Sequence, residues 1–444
     1  MSVDILEKIR DRSVTVGMIG LGYVGLPFAV EFAQAGVRVL GIDVDREKVE
    51  RVRRGESYIP DVPSAALQTV VRAGRLTAHA DYTPLREADA AFICVPTPFT
   101  RAKAPDISYI EAAARALAGV LHRDMLVVLQ STTYPGTTEE VVQPILEQSG
   151  LKGGRDFSLA FSPERIDPGN KVFGARNTPK VVGGVTPADS ERVAALFSLI
   201  IDPKHIHRVS GPRAAEMCKL LENTFRSVNI ALVNELAKLC DRMGLDIWEV
   251  IEAAATKPFG FMPFSPGVGV GGHCIPVDPY YLSWKAREYN FYTKFIELAA
   301  EVNQSMPYYT LHRLARALNE RGKPLKGARI LVLGAAFKRD IDDCRNSPAV
   351  EVLNILAQSG AAVCYNDPHV PKLAPGEHGL PAGLPALESR PLTPELLAAM
   401  DCVLIAVRHS TYDVPWILRH SRLVFDAQNA TRGLKEGREK VVRL

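Results

Sequence analysis

Short apolar runs and longer helical stretches alternate along the first part of the chain. A β-rich run at 14–19 leads into Gly20, Gly22 and Gly25, a helical segment follows, and a second apolar run ends at Asp43. Further apolar runs at 89–98, 125–136 and 158–169 each end in polar residues, proline or glycine. This alternation of strand-like and helix-like segments predicts an α/β fold with a parallel sheet.

Polar side chains stand at the carboxyl ends of those later runs. They are Thr97, Thr132 and Glu164. Because ligands of open α/β sheets bind at the carboxyl ends of the strands, we expect all three to face one crevice. From spacing alone, an ordinary loop residue is an equally good interpretation of each.

The pattern changes after Pro212. Helical periodicity continues for some thirty residues without glycine or proline until Gly244, and it places Lys219 and Asn223 four residues apart on one face. A second helical stretch is predicted at 280–306, after a glycine-rich loop with a cysteine. Two long helices in this position suggest a connecting and dimerising middle section.

The strand pattern then returns at 328–340, 361–370, 401–409 and 422–430. No GxGxxG accompanies it, which argues against a second dinucleotide site, and the segment 371–385 is predicted to be a surface loop. We therefore expect two Rossmann-like doubly wound domains joined by a long central helical section. The predicted sections are 1–210, 211–320 and 321–444.

Composition and charge exclude several classes of protein. The net charge of +3 gives no reason to expect nucleic acid or a membrane as a partner, and no apolar run reaches the ~18 residues of a membrane span. The charged N-terminus does not resemble a signal peptide. Seven scattered cysteines without a CxxC pair predict no metal site and a reduced, cytoplasmic setting, with most cysteines in the core.

The glycines near the N-terminus have the spacing of a dinucleotide-binding turn. Gly20 allows the tight turn, Gly22 the approach of a pyrophosphate, and Gly25 close packing of helix on strand. Asp43 would accept hydrogen bonds from both ribose hydroxyls and repel a 2′-phosphate. The motif therefore predicts NAD rather than NADP, with Arg46 nearby as a competing influence.

The stretch GVGVGGHCIPVDPYYL, 267–282, places Cys274 at the end of the most glycine-rich run. Glycines of this density let backbone approach a ligand closely, at an entropic cost that an ordinary core cysteine does not need. The surroundings favour a reactive thiol, although composition alone does not decide between a reactive and a structural one. The other six cysteines fall on predicted strand or helix runs, so a place in the core is the simplest interpretation of them.

The glycine fingerprint, the central helix with Lys219 and Asn223, the GGHC loop and the segment GAAFK, 334–338, occur together in this order. In these features the chain resembles the UDP-glucose/GDP-mannose dehydrogenase family over nearly its whole length. The resemblance implies oxidation of a sugar C6 alcohol to a carboxylate, with two NAD⁺ reduced and the aldehyde kept on the enzyme. Cys274 would hold it as a thiohemiacetal and then as a thioester.

Other catalytic roles follow from the same resemblance. Lys219 would stabilise negative charge on the C6 oxygen, with Asn223 helping to hold that oxygen or a water. Asp278 would assist water activation with Thr132, and Glu164 would act as a general acid–base group. The place of a second family glutamate falls at Pro168, so the carboxylate that drives hydrolysis stays open.

The resemblance also implies binding residues. For the cofactor they are Gly20, Gly22, Tyr23, Val24, Gly25, Asp43, Thr97, Thr132 and Arg345. For the UDP-sugar they are Glu164, Arg165, Lys219, Asn223, Gly267, Gly271, His273 and Lys338.

The cysteine loop also bears on the sugar. It reads GGHC followed by IPVDP, which is more similar to the branch that oxidises UDP-N-acetylhexosamines, UDP-N-acetylglucosamine in particular, than to the UDP-glucose enzymes with GGSC. UDP-N-acetylmannosamine, UDP-N-acetylgalactosamine and UDP-glucose stay open as substrates. So do a two-electron NAD dehydrogenase and a non-catalytic nucleotide-binding protein. A homodimer or higher homo-oligomer is expected.

Overall fold

The computed structural model describes residues 4–100, 103–167, 170, 172–376, 380 and 385–444. The chain divides into two compact units. The first comprises residues 1–222 with 280–291, and the second comprises residues 223–279 with 292–444.

The first unit contains an eight-stranded sheet. Its strands are β1 Thr15–Ile19, β2 Arg38–Ile42, β3 Leu76–His79, β4 Ala90–Ile93, β5 Leu126–Leu129, β6 Ser158–Phe161, β7 Lys180–Gly184 and β8 Ile206–Arg208. They lie in the order β3-β2-β1-β4-β5-β6-β7-β8, with Gly17 of β1 paired to Leu40 of β2 and Ala91 of β4. All neighbours are parallel except β6 and β7. The order of the first six strands is that of a dinucleotide-binding sheet, and the strand order reverses between β1 and β4.

Helices cover both faces of this sheet. They are α1 Ile5–Asp11, α2 Gly25–Gln34, α3 Arg46–Arg53, α4 Ser64–Arg72, α5 Ser108–Ala118, α6 Gln143–Leu146 and α7 Pro187–Phe197. On one face, the rings of Phe32, Phe92 and Phe197 pack against one another with distances of 5.6–6.4 Å between ring centres. On the other, Ile110 and Leu117 of α5 pack with the opposite side chains of the strands. Burial on both faces explains why these strands read as continuous apolar runs.

The long helix α8, Pro212–Met243, has 32 residues and continues from the first unit into the second. The second unit adds α9 Ile247–Ala254, α10 Cys274–Ala286, whose later residues belong to the first unit, and α11 Lys294–Asn319. No helix in the part of the chain that the structure describes is long and apolar enough to cross a membrane.

A five-stranded sheet completes the second unit. Its elements are β9 Arg329–Leu333, α12 Pro348–Gln358, β10 Ala362–Asn366, α13 Pro394–Ala399, β13 Cys402–Ile405, α14 Val414–His420, β14 Val424–Asp426 and β15 Val441–Arg443, with the hairpin β11 Lys372–Leu373 and β12 Leu387–Glu388 inserted. The order is β10-β9-β13-β14-β15, all parallel. The expected fold class is confirmed, while the three predicted sections stay a prediction.

The predicted helical stretch at 280–306 is wrong as a single element. The helix α10 begins at Cys274 itself and ends at Ala286. A 3₁₀ turn follows, and Asn290 then adopts a left-handed backbone with φ of 53° that separates α10 from α11. The glycines and prolines around Cys274 suggested a loop, but Pro276 fits the first turn of a helix, where backbone N–H groups are unpaired anyway, and Pro279 lies inside the helix.

The predicted surface loop at 371–385 is wrong for part of its length. Lys372 and Leu373 form a strand that pairs with β12. Leu373 and Leu380 are buried. Residues 377–379 and 381–384 of the predicted loop lie outside the described residues, as does Pro168.

Candidate active site

The glycine turn connects β1 to α2 in the first unit. Gly20 has φ of +92°, which favours glycine, and a Cβ on Gly25 would lie 1.8 Å from the carbonyl oxygen of Gly20. At Gly22, by contrast, a Cβ would meet nothing within 4 Å. The backbone at Gly22 therefore borders open space just before the start of a helix, which fits a pyrophosphate. Tyr23 beside it is exposed and Val24 is half-buried.

Asp43 follows β2 and is buried beside this turn. Its Oδ2 accepts the N–H of Leu21 at 2.8 Å, and its Oδ1 accepts the N–H of Asp45 at 2.9 Å. Burial, and then the negative charge of Asp43, raise the pKa of Tyr82 to about 12. Each carboxylate oxygen keeps a lone pair, so Asp43 fits a pair of ribose hydroxyls. Arg46, the first residue of α3, is exposed.

Thr97 follows β4, which pairs in parallel with β1, and Thr132 follows β5, which pairs in parallel with β4. Thr97 is buried, and its carbonyl accepts a hydrogen bond from the hydroxyl of Tyr281. Thr132 is half-buried. The structure thus brings the predicted cofactor residues of the first unit to one edge of the sheet. Arg345, the remaining predicted cofactor residue, belongs to the second unit.

Glu164 lies after β6 and is held by four hydrogen bonds. Its Oε1 accepts the backbone N–H groups of Arg165 and Ile166, both at 2.7 Å. Its Oε2 accepts Gln130 Nε2 at 3.0 Å and Lys180 Nζ at 2.8 Å. The acid–base role of Glu164 stays a prediction, and a carboxylate bonded in this way would have to release a partner to take part in proton transfer.

Lys180, which the sequence analysis missed, is fully buried at the start of β7. Its Nζ lies 4.3 Å from the ring centre of Phe28 and 5.4 Å from that of Phe197. Burial lowers the pKa of Lys180, while the charge of Glu164 and its hydrogen bond oppose that shift. A lysine at the head of an apolar strand was the available signal, since a buried cation requires a partner.

Lys219 lies on α8 and is 7% exposed. Among the residues that the structure describes, no carboxylate pairs with it. Arg165 is engaged differently, because its Nη2 pairs with Glu222 at 2.7 Å and its Nη1 donates to the carbonyl of Pro179 at 2.8 Å. Lys219 is therefore a nearly buried cation available to a bound anionic group.

Cys274 differs from the other six cysteines. It alone is exposed, and it is the first residue of α10. Burial raises the pKa of Cys344 and of Cys402 to about 12, and it raises the pKa values of Cys94, Cys218 and Cys364 as well. The beginning of a helix favours an anionic thiolate, so Cys274 has the setting of a reactive thiol.

One of the other cysteines lies well outside the helices and strands. Cys344 was expected on a strand or helix, but it lies in an irregular segment between β9 and α12. It is nonetheless partly buried.

Asn223 and Asp278 meet in the second unit. Asn223 Nδ2 donates to Asp278 Oδ2 at 2.5 Å, and the Asp278 side chain is fully buried. Asp278 is four residues after Cys274 on α10, so the two side chains share a helix face. The predicted nucleophile, the predicted water-activating carboxylate and its amide partner are therefore brought together.

Close packing against neighbouring side chains explains why glycines precede Cys274. Gly272 has φ of +86°, and a Cβ there would lie 2.8 Å from the ring of Phe337. A Cβ on Gly271 would lie 2.7 Å from Phe337 and from Pro348. Arg345 contributes through its backbone carbonyl, which accepts the N–H of Gly272 at 2.9 Å.

The other predicted substrate and cofactor residues of this region stay predictions. The guanidinium of Arg345 pairs with Asp343 at 2.6 Å. His273 and Lys338 are half-buried. Their predicted contacts with sugar and cofactor are not tested by these positions.

A buried amide pair holds the first glycine of this loop, and the sequence analysis missed it. Asn234 Oδ1 accepts the N–H of Gly267 at 3.1 Å, and its Nδ2 donates to Asn303 Oδ1 at 2.9 Å. Asn303 in turn donates to the carbonyl of Ser227 at 3.2 Å. Asn234 and Asn223 thus fix opposite ends of the segment 267–278 from one helix. An asparagine on the apolar face of a long helix was the available signal.

Family models match three successive parts of the chain. Residues 14–201 match the NAD binding domain of the UDP-glucose/GDP-mannose dehydrogenase family. Residues 213–305 match its central domain, and residues 331–433 match its UDP binding domain. Together they cover most of the sequence, and the NAD expected from the glycine turn is confirmed.

Individual relatives match along nearly their whole length. The UDP-N-acetyl-D-glucosamine 6-dehydrogenase of Pseudomonas aeruginosa is 37% identical, over 90% of this chain and 92% of its own. The NDP-N-acetyl-D-galactosaminuronic acid dehydrogenase of Ralstonia nicotianae is 38% identical, over 95% and 96%. A solved UDP-D-ManNAc dehydrogenase of Pyrococcus horikoshii superposes with a TM-score of 0.86 at 31% identity, covering 97% of this chain and 98% of that one. The chain therefore belongs to the UDP-glucose/GDP-mannose dehydrogenase family and is an NAD-dependent UDP-sugar dehydrogenase.

Proposed function

We propose that this enzyme oxidises the C6 hydroxyl of UDP-N-acetylglucosamine to a carboxylate in two successive two-electron steps. The observation that supports this most directly is the setting of Cys274. It is the one exposed thiol of seven, it opens a helix, and it stands one turn before the buried Asp278. A two-electron dehydrogenase would need no such thiol.

The proposed chemistry uses Cys274 as a covalent holder of the aldehyde. NAD, when bound, supplies the hydride acceptor. After the first oxidation, Cys274 Sγ bonds to the aldehyde carbon, and the carbonyl oxygen takes a proton to give a thiohemiacetal. The second oxidation removes the remaining C6 hydrogen as hydride and the hydroxyl proton, giving a thioester. Water then attacks the thioester carbon, the carbon–sulfur bond breaks, and the carboxylate leaves with the thiolate restored.

Lys219 is proposed to stabilise the negative charge that develops on the C6 oxygen. A nearly buried cation that forms no ion pair with a described residue supports this role, since fixed charges act most strongly where water is excluded. Asn223, one turn along α8, would help to hold the same oxygen or a water.

We propose that Asp278 positions the hydrolytic water, with Thr132 as a partner through water. The hydrogen bond from Asn223 and the place of Asp278 one turn after Cys274 support this choice over Glu164, whose oxygens already accept four hydrogen bonds. We expect Asp278→Asn to accumulate a sugar thioester on Cys274, visible as a mass increase of the intact protein. Glu164→Gln is the matched variant. Accumulation in that variant alone would assign hydrolysis to Glu164.

The choice among sugars is proposed from the sequence around Cys274. Relatives of almost equal identity are named for N-acetylglucosamine and for N-acetylgalactosaminuronic acid, so identity supports the N-acetylhexosamine class more than one epimer. The reading GGHC with IPVDP supports UDP-N-acetylglucosamine within that class. The uronic acid formed would serve the synthesis of a surface polysaccharide.

The test is the yield of NADH at completion with limiting sugar. UDP-N-acetylglucosamine is run beside UDP-N-acetylgalactosamine, UDP-N-acetylmannosamine and UDP-glucose. Two NADH per UDP-N-acetylglucosamine, at the highest kcat/KM of the four, is the expected result. One NADH per sugar would mean that the aldehyde escapes and would contradict the covalent role of Cys274. Two NADH from another UDP-sugar at higher kcat/KM would support the proposed four-electron chemistry but assign that sugar as the substrate.

We also propose that the enzyme is a cytoplasmic homodimer, or a higher homo-oligomer, joined through α8. An exposed apolar stripe supports this, formed by Phe225, Leu232, Leu236, Leu239 and Met243 at intervals of three, four and seven residues. None of the seven cysteines forms a disulfide, which is compatible with a reducing compartment. We expect Leu236→Glu to lower the mass measured by light scattering to that of one chain, while Glu235→Gln leaves the wild-type mass.

A further inference from the structure

The side chain of Lys180 is fully buried and takes no part in the proposed chemistry. Its Nζ lies 2.8 Å from Glu164 Oε2, and the Glu164 side chain keeps 10% of its surface exposed. The rings of Phe28 and Phe197 flank the ammonium group, with their centres 4.3 and 5.4 Å from Nζ. Lys180 therefore lies behind Glu164, and it acts on a bound molecule only through that carboxylate.

The antiparallel strand β7 brings Lys180 to the edge of the sheet at which the other strands end. β7 pairs with β6 so that Gly183 lies opposite Phe161. Continued by three residues, this register places Lys180 opposite Glu164, beyond the carboxyl end of β6. Gln130, directly after β5, donates to the same Oε2 at 3.0 Å. The ion pair thus lies at the edge where ligands of α/β sheets bind.

Glu164 is surrounded by hydrogen-bond donors. Its Oε1 accepts two backbone N–H groups, and its Oε2 accepts the amide of Gln130 and the ammonium of Lys180. The oxygen of the Gln130 amide accepts the thiol of Cys94 at 3.5 Å instead. A protonated carboxyl group would have to donate its O–H to an acceptor. The bonds that the structure describes therefore suit a carboxylate rather than a carboxylic acid.

Stability alone does not explain why a cation supplies one of these donors. Taking two charges out of water costs free energy, and apolar residues of similar volume often stabilise a fold as well as a buried ion pair does. The Glu164 carboxylate, however, fixes the backbone N–H groups of Arg165 and Ile166. Arg165 Nη1 also donates to the carbonyl of Pro179, the neighbour of Lys180, at 2.8 Å. Two adjacent segments are thus bonded to each other twice, once through the ion pair.

We propose that Lys180 is a positioning residue for the oxidation of the sugar: its ammonium keeps Glu164 charged and holds the segment 164–166 in place. The inference rests on the proposed function, in which Glu164 and Arg165 are expected to bind the UDP-sugar. Without the ammonium, a buried carboxylate takes up a proton, and its bonds to the backbone N–H groups weaken. A displacement of about 1 Å in a segment that positions a substrate is enough to cost about 10²-fold in rate.

Other ionisable groups lie around the ion pair. Cys94 follows β4, and burial, and then the charge of Glu164, raise the pKa of its thiol. Arg165 is paired with Glu222 of α8. Lys219, also on α8, acts on the buried lysine through its positive charge. These groups are the same in the wild type and in variants of Lys180, so their own titration largely cancels in a ratio of rates.

The test is kcat/KM for the UDP-sugar in Lys180→Met, divided by the wild-type value at each pH from about pH 6 to about pH 9. Methionine fills the space beside the two rings and removes the charge. We expect the ratio to be lowest at the acid end, where the uncompensated carboxylate is protonated. It should rise about tenfold or more toward the alkaline end, where the carboxylate ionises again.

Two further variants check the cause of that pH dependence. Lys180→Met combined with Glu164→Gln should give a ratio that does not change with pH, because no carboxylate is left to titrate. Lys180→Gln keeps a hydrogen-bond donor without a charge and should show the same pH dependence as Lys180→Met, even if methionine disturbs folding. Lys204→Met is the matched control, since Lys204 pairs with Asp202 on the surface of the same unit at 2.8 Å. Its ratio should stay near one at every pH.

Three results would overturn the inference. A ratio near one at every pH would mean that the reaction does not need the charge of Lys180. A lowered ratio that does not change with pH would leave Lys180 with a packing role alone. A pH dependence that persists in the double variant would belong to another group. Urea unfolding curves at each pH identify the variants that are folded and can be compared.

The comparison does not depend on which sugar is the substrate. Rates are measured with whichever of the four UDP-sugars the wild type oxidises fastest, and with the same sugar in every variant. One NADH per sugar in the wild type, or another preferred sugar, would contradict the proposed function. The ratio between variant and wild type would still test Lys180.

Discussion

The two units place an aspartate at the same point of the same fold and use it differently. In the first unit Asp43 follows the second strand of the sheet and accepts two backbone hydrogen bonds, one of them from Leu21 in the turn after β1. In that turn Gly22 faces open space. Each oxygen of the buried Asp43 carboxylate accepts one hydrogen bond and keeps a lone pair for a ligand, and the turn borders open space.

In the second unit Asp367 follows β10, and its carboxylate is fully engaged by the chain itself. Its Oδ2 accepts the N–H groups of Ala335 and Ala336 and His409 Nε2, at 2.7, 3.0 and 2.9 Å. Its Oδ1 accepts two further backbone N–H groups, those of residues 369 and 370. His409 Nδ1 accepts the N–H of Asp340, which identifies Nε2 as its protonated nitrogen.

The difference shows how one topology gives two functions. Gly334 begins the second turn with φ of +87°, as Gly20 begins the first with +92°. The position of Gly22 is then taken by Ala336, which is fully buried. The open turn fits a dinucleotide, and the closed turn is filled by the chain's own side chains and hydrogen bonds. We infer that the second unit contributes the cysteine segment rather than a second cofactor site.

The largest expected effect tests this division of labour. We expect Cys274→Ser to lower full turnover by about 10⁴-fold or more, because the covalent holder of the aldehyde is lost. The Kd for NAD⁺, measured by calorimetry, should stay within about twofold of wild type. Cys364→Ser is the control, since Cys364 lies on a strand and is partly buried. Near-normal production of the acid by Cys274→Ser would refute the covalent scheme.

The next prediction tests whether the first unit supplies more to the reaction than cofactor binding. Lys219→Ala should lower kcat by about 10²–10³-fold, the ~3–4 kcal/mol typical of a lost oxyanion donor. Lys238→Ala is the control on the same helix, because its Nζ already donates to Ser305 at 2.6 Å. An unchanged kcat in Lys219→Ala would remove that lysine from the mechanism and leave the first unit with the cofactor alone.

A smaller effect tests the closed turn. The pKa of Asp367 lies below its ordinary value. Burial raises this pKa, but hydrogen bonds from His409, Ala335 and Ala336 lower it by more than burial raises it. A depressed folded-state pKa gives stability that is full above the unfolded value and is lost as pH falls through the folded value. We expect Asp367→Asn to lower the free energy of unfolding by ~2–3 kcal/mol at neutral pH. The deficit should shrink below about pH 4.

Urea unfolding at several pH values measures that deficit. Asp342→Asn is the control, since Asp342 is an exposed aspartate of the same unit, in the segment between β9 and α12. A deficit that does not change with pH would mean that the Asp367 carboxylate is not stabilised in its charged form.

The sequence predicted what depends on local pattern and missed what depends on distant contacts. The glycine turn, Asp43 and the strand ends follow from apolar runs and turn residues a few positions apart. Lys180 meets Glu164 across sixteen residues, and His409 meets Asp367 across forty-two, so only the folded sheet brings them together. The start of α10 at Cys274 was hidden because glycine and proline are typical of loops as well as of helix beginnings.

The smallest expected effect concerns the open turn. Asp43→Ala should lower the preference for NAD⁺ over NADP⁺, measured as the ratio of kcat/KM values, by about tenfold, which corresponds to ~1.4 kcal/mol. Two causes act together: the ribose hydroxyls lose an acceptor, and a 2′-phosphate loses a neighbouring negative charge. Stability should change less than in Asp367→Asn, because two hydrogen bonds are lost rather than five.

Glu47→Ala removes a nearby exposed carboxylate and should leave the cofactor ratio unchanged. Arg46→Ala tests the other candidate for cofactor choice, since Arg46 is an exposed cation three residues after Asp43. If Asp43→Ala kept the wild-type ratio while Arg46→Ala changed it, cofactor choice would depend on the arginine. The aspartate of the first unit would then be structural, as Asp367 is in the second, and the contrast between the two turns would rest on the glycines alone.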